Sequence, residues 1–135
     1  MIINTTYLTK EMKKNIIDNV GKKISFLDSL STGPRGSHRM IIKEYSESFQ
    51  RFLKKKQDTL YGSIERRNNG IIIRISNNLE TISWLIPFYK LSIFKSNLFS
   101  IHSSGNYIKF QIDNNYHVNK KFISKLMIMK KTNIE

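Results

Sequence analysis

The chain contains no cysteine and no alanine, and it has only two prolines, six glycines and 10 acidic residues. Without cysteine, disulfides and thiolate metal sites are excluded. At 135 residues, the chain is long enough to bury a hydrophobic core without such cross-links. We therefore expect residues 1–135 to form a single domain.

Long apolar runs are also missing. The N-terminus offers only the adjacent pair Ile2 and Ile3, too few for a signal-peptide core. The longest nearly uninterrupted apolar stretch, Trp84–Tyr89, contains a proline and is too short to span a bilayer. Because an absence of cysteine also suits a reducing compartment, we expect a cytoplasmic protein, either free or peripherally associated with a membrane.

Acidic residues are scarce relative to the 23 basic ones, which gives a net charge of +13. The 21 isoleucines, 17 lysines and 13 asparagines, with no alanine, point to an A/T-rich genome that inflates the lysine count. Such a bias does not disfavour glutamate, so part of the positive charge is chemically meaningful. It favours an anionic partner: nucleic acid, an acidic membrane surface or an acidic protein.

Motifs that carry catalysis are absent from the sequence. There is no nucleophile elbow, glycine-rich phosphate loop or paired-carboxylate arrangement. The three histidines, His38, His102 and His117, are scattered without metal-ligand spacing. We therefore expect a protein that is not an enzyme and needs no metal or cofactor.

What the chain does have is a series of short apolar runs separated by Asn, Gly, Ser and Pro. The six runs cover residues 59–66, 71–76, 79–86, 88–94, 98–103 and 107–112. This pattern predicts an antiparallel meander over 59–112 that curls into a sandwich or barrel. Asn68-Asn69-Gly70 is the strongest hairpin signal, since Asn and Gly tolerate the positive φ of tight turns.

Helical spacing appears on both sides of the meander. A helix is predicted over 8–21, capped by Thr9 and ended by Gly21. A second is predicted over 40–56, and a third over 119–131 with Asn119 as its cap.

The remaining N-terminal residues are assigned on composition. The short run Ile24–Leu27 is interpreted as a strand, and residues 31–38 as a loop. The predicted class is α+β: a six- to seven-stranded antiparallel barrel or curled sheet, capped by the C-terminal helix. Residues 1–58 are its helical N-terminal part. Trp84 should be buried against Phe122 or Leu126 of the closing helix.

The order of strands followed by one amphipathic helix resembles a bacterial pleckstrin-homology-like domain. Residues 62–75 look like its opening hairpin, Trp84–Tyr89 like its aromatic-x-Ile-Pro strand, and Phe122–Leu126 like its closing helix. The resemblance implies a module that docks phosphoinositides, peptides or proteins rather than a catalyst. Ser76 stands where phosphoinositide binders carry a second basic residue.

Two groups of basic residues are candidate anion sites. Arg66, Arg67 and Arg74 occupy the first hairpin, where the resemblance also places ligand-binding cations, and Lys54, Lys55 and Lys56 lie just upstream. Arginine favours bidentate phosphate and carboxylate contacts, so its clustering in a lysine-rich chain is informative. The alternative is an ordinary solvated hairpin.

The second group is Arg35 and Arg39, in a flexible stretch ahead of the predicted helix at 40–56. A helix N-terminus with nearby arginines suits an anion, although Ser37 could simply cap that helix. Aromatic residues along the strands suggest a base-stacking platform or, alternatively, core packing. The expected function is a binding module for an acidic protein or membrane surface; the alternative is nucleic-acid binding.

Overall fold

A computed structural model of the chain describes residues 1–53 and 59–133. The strands are β1 (Ile2–Asn4), β2 (Met40–Tyr45), β3 (Leu60–Arg66), β4 (Gly70–Asn77), β5 (Glu80–Pro87), β6 (Ser92–Lys95), β7 (Leu98–Ser103) and β8 (Asn106–Gln111). The α-helices are α1 (Lys10–Val20), α2 (Phe26–Thr32), α3 (Asn114–His117) and α4 (Lys120–Asn133). Short 3₁₀ turns lie at Glu47–Phe49 and Phe88–Lys90.

All strand pairs are antiparallel, and the order across the sheet is β1-β5-β4-β3-β2-β8-β7-β6. The predicted α+β class with a C-terminal helix is confirmed. Within the described ranges the sheet has eight strands and stays open, so it is not a barrel. The additional strands are β1 and β2, for which the sequence had predicted no strand.

The six strands predicted over 59–112 are confirmed as β3 to β8, with a 3₁₀ turn after Pro87 between β5 and β6. They do not form one continuous meander, because β5 and β6 lie apart in the sheet. In space they form two three-stranded units, because β2 pairs with β3 on one side and β8 on the other. The turn between β7 and β8 uses Ser104 and Gly105, both at positive φ (51° and 82°), as tight hairpins require.

The hairpin at Asn68-Asn69-Gly70 is also confirmed, with the Arg67 amide donating to the Gly70 carbonyl at 2.8 Å. The reason for its glycine differs from the predicted one, since Gly70 does not take a positive φ. A Cβ there would stand 2.3 Å from the Ile86 carbonyl oxygen and 2.9 Å from Val20 Cγ1. Gly70 is therefore needed for close packing of the hairpin against β5 and α1.

The helix predicted over 40–56 is wrong, because β2 and a 3₁₀ turn occupy its described part. Met40 and Ile42 point into the core, and β-branched isoleucines suit a strand. The helical spacing of Ile41 and Phe49 is misleading, because Ile41 lies in β2 and Phe49 lies in the 3₁₀ turn that follows.

The strand predicted at Ile24–Leu27 is wrong as well. Ser25 Oγ accepts a hydrogen bond from the Asp28 amide at 3.1 Å and caps α2. With Asp28 in the first turn, this cap favours a helix over a strand.

Both faces of the sheet carry a helix. On the inner face, residues of α4 (Phe122, Ile123 and Leu126) join the main core with the inward side chains of the strands. On the opposite, outer face, Ile16 and Val20 of α1 pack on Ile72 and Leu85. In the described ranges, α1 packs on β4 and β5 of this face. The outward side chains of Tyr61, Ser63 and Glu65 in β3 and of Arg74 in β4 are only partly buried.

Trp84 is buried, as predicted, with 1% of its surface exposed. Its ring makes an edge-to-face contact with Phe49 at 5.2 Å between centroids. Phe122 and Leu126, the predicted neighbours, belong to the same core cluster. The 3₁₀ turn that carries Phe49 thus closes the core over the tryptophan.

We expect Trp84→Ala to destabilise the fold by about 3–5 kcal/mol, because a large side chain is removed from a closed core. Urea denaturation followed by far-UV circular dichroism measures this without needing the tryptophan. Tyr89→Ala, at a side chain 69% exposed, is the control and should change the free energy of unfolding by less than about 0.5 kcal/mol. Equal losses for the two variants would contradict the placement of Trp84.

Candidate anion-binding site

Arg74, on the outer face of β4, lines three neighbouring clefts. The largest, the α1 cleft, has a volume of about 560 Å³ and lies between α1 and strands β4 and β5. The Arg39 cleft, of about 340 Å³, is shared with Arg39 and Tyr61. The Arg35 cleft, of about 420 Å³, is shared with Lys23 and Arg35. Arg74 is therefore the residue at which these clefts meet.

One carboxylate lies between two guanidinium groups at this point. Glu65 Oε2 is 2.6 Å from Arg67 Nε, and Glu65 Oε1 accepts a hydrogen bond from Arg74 Nη1. The side chains are 20%, 6% and 36% exposed for Glu65, Arg67 and Arg74. In the described part of the chain, neither guanidinium has a second carboxylate within ion-pair distance. The trio keeps a net positive charge.

Arg67 is the most enclosed member of the trio. Its Nη1 donates to the Gly21 carbonyl at 3.3 Å, which ties the end of α1 to the hairpin. Its Nε lies beside the Glu65 oxygen but lacks the geometry of a hydrogen bond. The negative charge that faces this nitrogen is therefore the carboxylate of Glu65.

Arg66 faces the opposite way. Its Nε donates to the Pro34 carbonyl at 2.6 Å, and its Nη2 donates to the Gly33 carbonyl at 2.7 Å. Its Nη1 reaches Met129 Sδ at 3.2 Å, and burial lowers the pKa of the guanidinium from its ordinary value. Arg66 thus holds the chain after α2 against α4 and does not share the outer face with Arg74.

Arg35 and Arg39 are exposed and lie on the same face as Arg74. Arg35 Nη1 donates to the Ile24 carbonyl at 3.2 Å, and the Arg39 guanidinium lies 4.2 Å above the Tyr61 ring. No helix follows Arg39, so the predicted helix N-terminus is absent from this loop. Lys54, Lys55 and Lys56 lie outside the described residues.

The loop that carries the two arginines is anchored at both sides. The Ser37 amide donates to the Ile64 carbonyl at 2.8 Å, and the Ile64 amide donates to Ser37 Oγ at 2.9 Å. Asn119 lies at its predicted position directly before α4, where its carbonyl accepts from the Ile123 amide at 2.9 Å. Its side-chain Oδ1 accepts from the His38 amide at 2.8 Å. Its Nδ2 also donates to the His38 carbonyl at 3.2 Å. The loop therefore follows β3 closely.

Three residues of the site were not predicted: Lys13, Lys23 and Glu65. Glu65 was detectable, since residues two apart in a strand share a face and Glu65 is two before Arg67. The same alternation places Arg66 on the other face. Lys13 and Lys23 reach the site through the packing of α1, for which the sequence carries no local signal.

A second feature of the outer face is a row of rings on β6, β7 and β8. Phe94 and His102 lie 5.2 Å apart, and His102 and Tyr107 lie 5.7 Å apart. Lys109 Nζ stands 5.2 Å from the Tyr107 ring centroid. Burial and the neighbouring Lys109 charge lower the pKa of His102. Of the other aromatic residues along the strands, Trp84, Phe88, Phe99 and Phe110 are buried, whereas Tyr89 is exposed.

Fold and site together define an antiparallel α+β domain whose outer sheet face carries Glu65 paired with Arg67 and Arg74. Comparison of the chain with family models, with curated proteins and with solved structures gives no match. The pleckstrin-homology-like resemblance therefore stays a prediction. In the described ranges, no helix is long and apolar enough to cross a membrane. Nor do those ranges bring together three His, Cys, Asp or Glu residues that could hold a metal ion.

We expect Glu65→Gln to destabilise the fold by about 3 kcal/mol, because it leaves the buried Arg67 charge without its partner. The matched control is Glu44→Gln. Glu44 pairs with Lys109 at 3.5 Å, where the side chains are 54% and 32% exposed, so its loss should cost about 0–1 kcal/mol. Urea denaturation followed by Trp84 fluorescence compares the two. Identical midpoints would show that the shared carboxylate has no special role.

Proposed function

We propose that this chain is a non-enzymatic binding module that docks an acidic protein segment on its outer sheet face. The observation that carries the proposal is the shared carboxylate: among the described residues, Glu65 is the one carboxylate paired with both Arg67 and Arg74. The unbalanced charge lies where three clefts meet. An incoming carboxylate would balance it.

Flanking cations extend the site along the loop and the strand. Arg35 and Arg39 are exposed, and each lines a cleft shared with Arg74. Arginine presents paired donors that match a carboxylate. The stacking of Arg39 on Tyr61 limits the freedom of that side chain, so less entropy is lost when it binds.

The recessed position of Arg74 favours a protein partner over a membrane. Its side chain is 36% exposed and lies at the junction of clefts. A flat bilayer surface attracts protruding basic residues, whereas a carboxylate on an extended peptide can enter a groove. Rim charges of this kind also steer an oppositely charged partner during association.

Single-stranded nucleic acid is a second candidate, and the ring row formed by Phe94, His102 and Tyr107 favours it. Strand β8 is three steps from β4 in the sheet, or about 14 Å at the usual strand spacing. A nucleic-acid strand could stack bases on the rings and place phosphates near Arg74. Such stacking is a common mode of single-strand binding.

The test is a triple variant, Arg35→Gln with Arg39→Gln and Arg74→Gln, titrated with a fluorescein-labelled glutamate-rich peptide. Arg67 still balances Glu65 in this variant, so the fold should persist. We expect at least about a tenfold loss of affinity, equivalent to about 1.4 kcal/mol. The loss should shrink as salt rises, because exposed charges are screened over about 8 Å at physiological ionic strength.

The matched control replaces the exposed Lys120, Lys121 and Lys131 of α4 by Gln and removes the same net charge. Equal losses from both triple variants would mean that only bulk charge matters. Oligouridylate and anionic phospholipid vesicles are titrated in parallel. Binding to oligouridylate alone, lost in Phe94→Ala, would replace the proposal by the second candidate, and binding to vesicles alone would contradict both.

A further inference from the structure

The α1 cleft has a composition unlike that of the two open clefts beside it. Its volume of about 560 Å³ falls within the range of small-molecule sites. Apolar residues of α1 and of the segment before it form one wall, hydroxyl residues form the floor, and basic residues gather at one side. The lining residues are Thr5, Leu8, Lys13, Ile16, Ile17, Lys23, Arg67, Arg74, Thr81 and Ser83.

The apolar wall is formed by Leu8, Ile16 and Ile17. Ile16 is buried against the sheet, whereas Leu8 and Ile17 remain 47% and 43% exposed. Both side chains line the cleft and keep nearly half of their surface in contact with water. An apolar ligand group lying here would remove their surface from water, which is favourable in proportion to the area covered.

Two hydroxyl groups of the floor, those of Thr5 and Ser83, are already hydrogen-bonded within the protein. Thr5 Oγ1 and Ser83 Oγ lie 2.7 Å apart, and Thr5 Oγ1 also donates to the Thr81 carbonyl at 3.4 Å. Ser83 is 1% exposed. Because the hydroxyl groups of Thr5 and Ser83 bond to each other and to the backbone, they offer little to a strongly polar ligand.

The charged side of the cleft has the opposite character. Lys13, Lys23, Arg67 and Arg74 line it, and no acidic residue of the described chain is among the lining residues. Glu65, which lies behind the two arginines, supplies a single negative charge. An anionic head group at this side would be attracted by three unbalanced positive charges.

We infer that the α1 cleft binds a small amphipathic carboxylate, a single apolar chain ending in one negative group. A small inorganic anion would leave Leu8 and Ile17 uncovered, and a neutral hydrocarbon would leave the cations unpaired. The inference goes beyond the docking of an acidic segment. The two sites share Arg67, Arg74 and Lys23. Lys13 and Ile17 line the α1 cleft alone, and Arg39 lines the Arg39 cleft of the proposed docking site alone.

The experiment uses decanoate as the probe, with decanol and acetate as the uncharged and the short-chain comparison. Isothermal titration calorimetry gives the three affinities, and ligand-induced changes in the backbone amide chemical shifts locate the site. We expect decanoate to bind at least about tenfold more tightly than decanol or acetate. The amides that shift should belong to α1 and to the outer residues of β4 and β5.

Two pairs of variants test the two sides of the cleft. Ile17→Gln should weaken decanoate binding about tenfold, whereas Met127→Gln, at a side chain equally exposed (43%) on α4, should not. Lys13→Gln should weaken it about fivefold, whereas Lys10→Gln, at an exposed lysine of the same helix outside the cleft lining, should leave it unchanged.

Equal affinities for decanoate and decanol, or equal effects of each variant and its control, would overturn the inference. So would decanoate-induced shifts confined to other parts of the chain. Arg39→Gln separates this result from the proposed function, since it should weaken peptide docking and leave decanoate binding unchanged. The proposed docking site and the proposed decanoate site can therefore be refuted independently of each other.

Discussion

One carboxylate held between two guanidinium groups organises the outer face of the sheet. Glu65 joins β3 to Arg74 of β4 and, through Arg67, to the hairpin at which α1 ends. Desolvated charges are tolerated only when they are paired, so the three side chains fix one another. Two cations with one anion leave a positive charge that the fold does not balance. The proposed binding properties depend on that imbalance.

The fold keeps this charge accessible by covering the two faces of the sheet unequally. Helix α4 belongs to the main core on the inner face, while α1 covers only the end of the outer face around Ile72 and Leu85. Ser37 and Asn119 anchor the loop that carries Arg35 and Arg39. This loop runs beside β3. The open surface is therefore bordered by a helix on one side and a fixed loop on the other.

Local patterns were sufficient to predict the strands over 59–112 and the burial of Trp84, because alternation and turn residues act within a few positions. They could not show that β5 and β6 lie apart in the sheet. The strand β2 was missed because its pairing with β3 and β8 is decided by distant residues. The hairpin arginines were grouped by nearness in sequence, although strand alternation separates Arg66 from Arg67. Arg35, Arg39 and Arg74 were predicted and share a face. Lys13 and Lys23 were not, since only tertiary packing brings them there.

The most direct test of the shared-carboxylate account is the ¹H–¹⁵N spectrum of the arginine Nε–H groups, assigned through single Arg→Lys variants. The Nε–H signals of Arg66 and Arg67 should exchange slowly with water, because both side chains are buried. Adding acetate should shift the signals of Arg67 and Arg74 and leave that of Arg66 unchanged. Equal shifts for all the arginines, or rapid exchange at Arg67, would contradict the account.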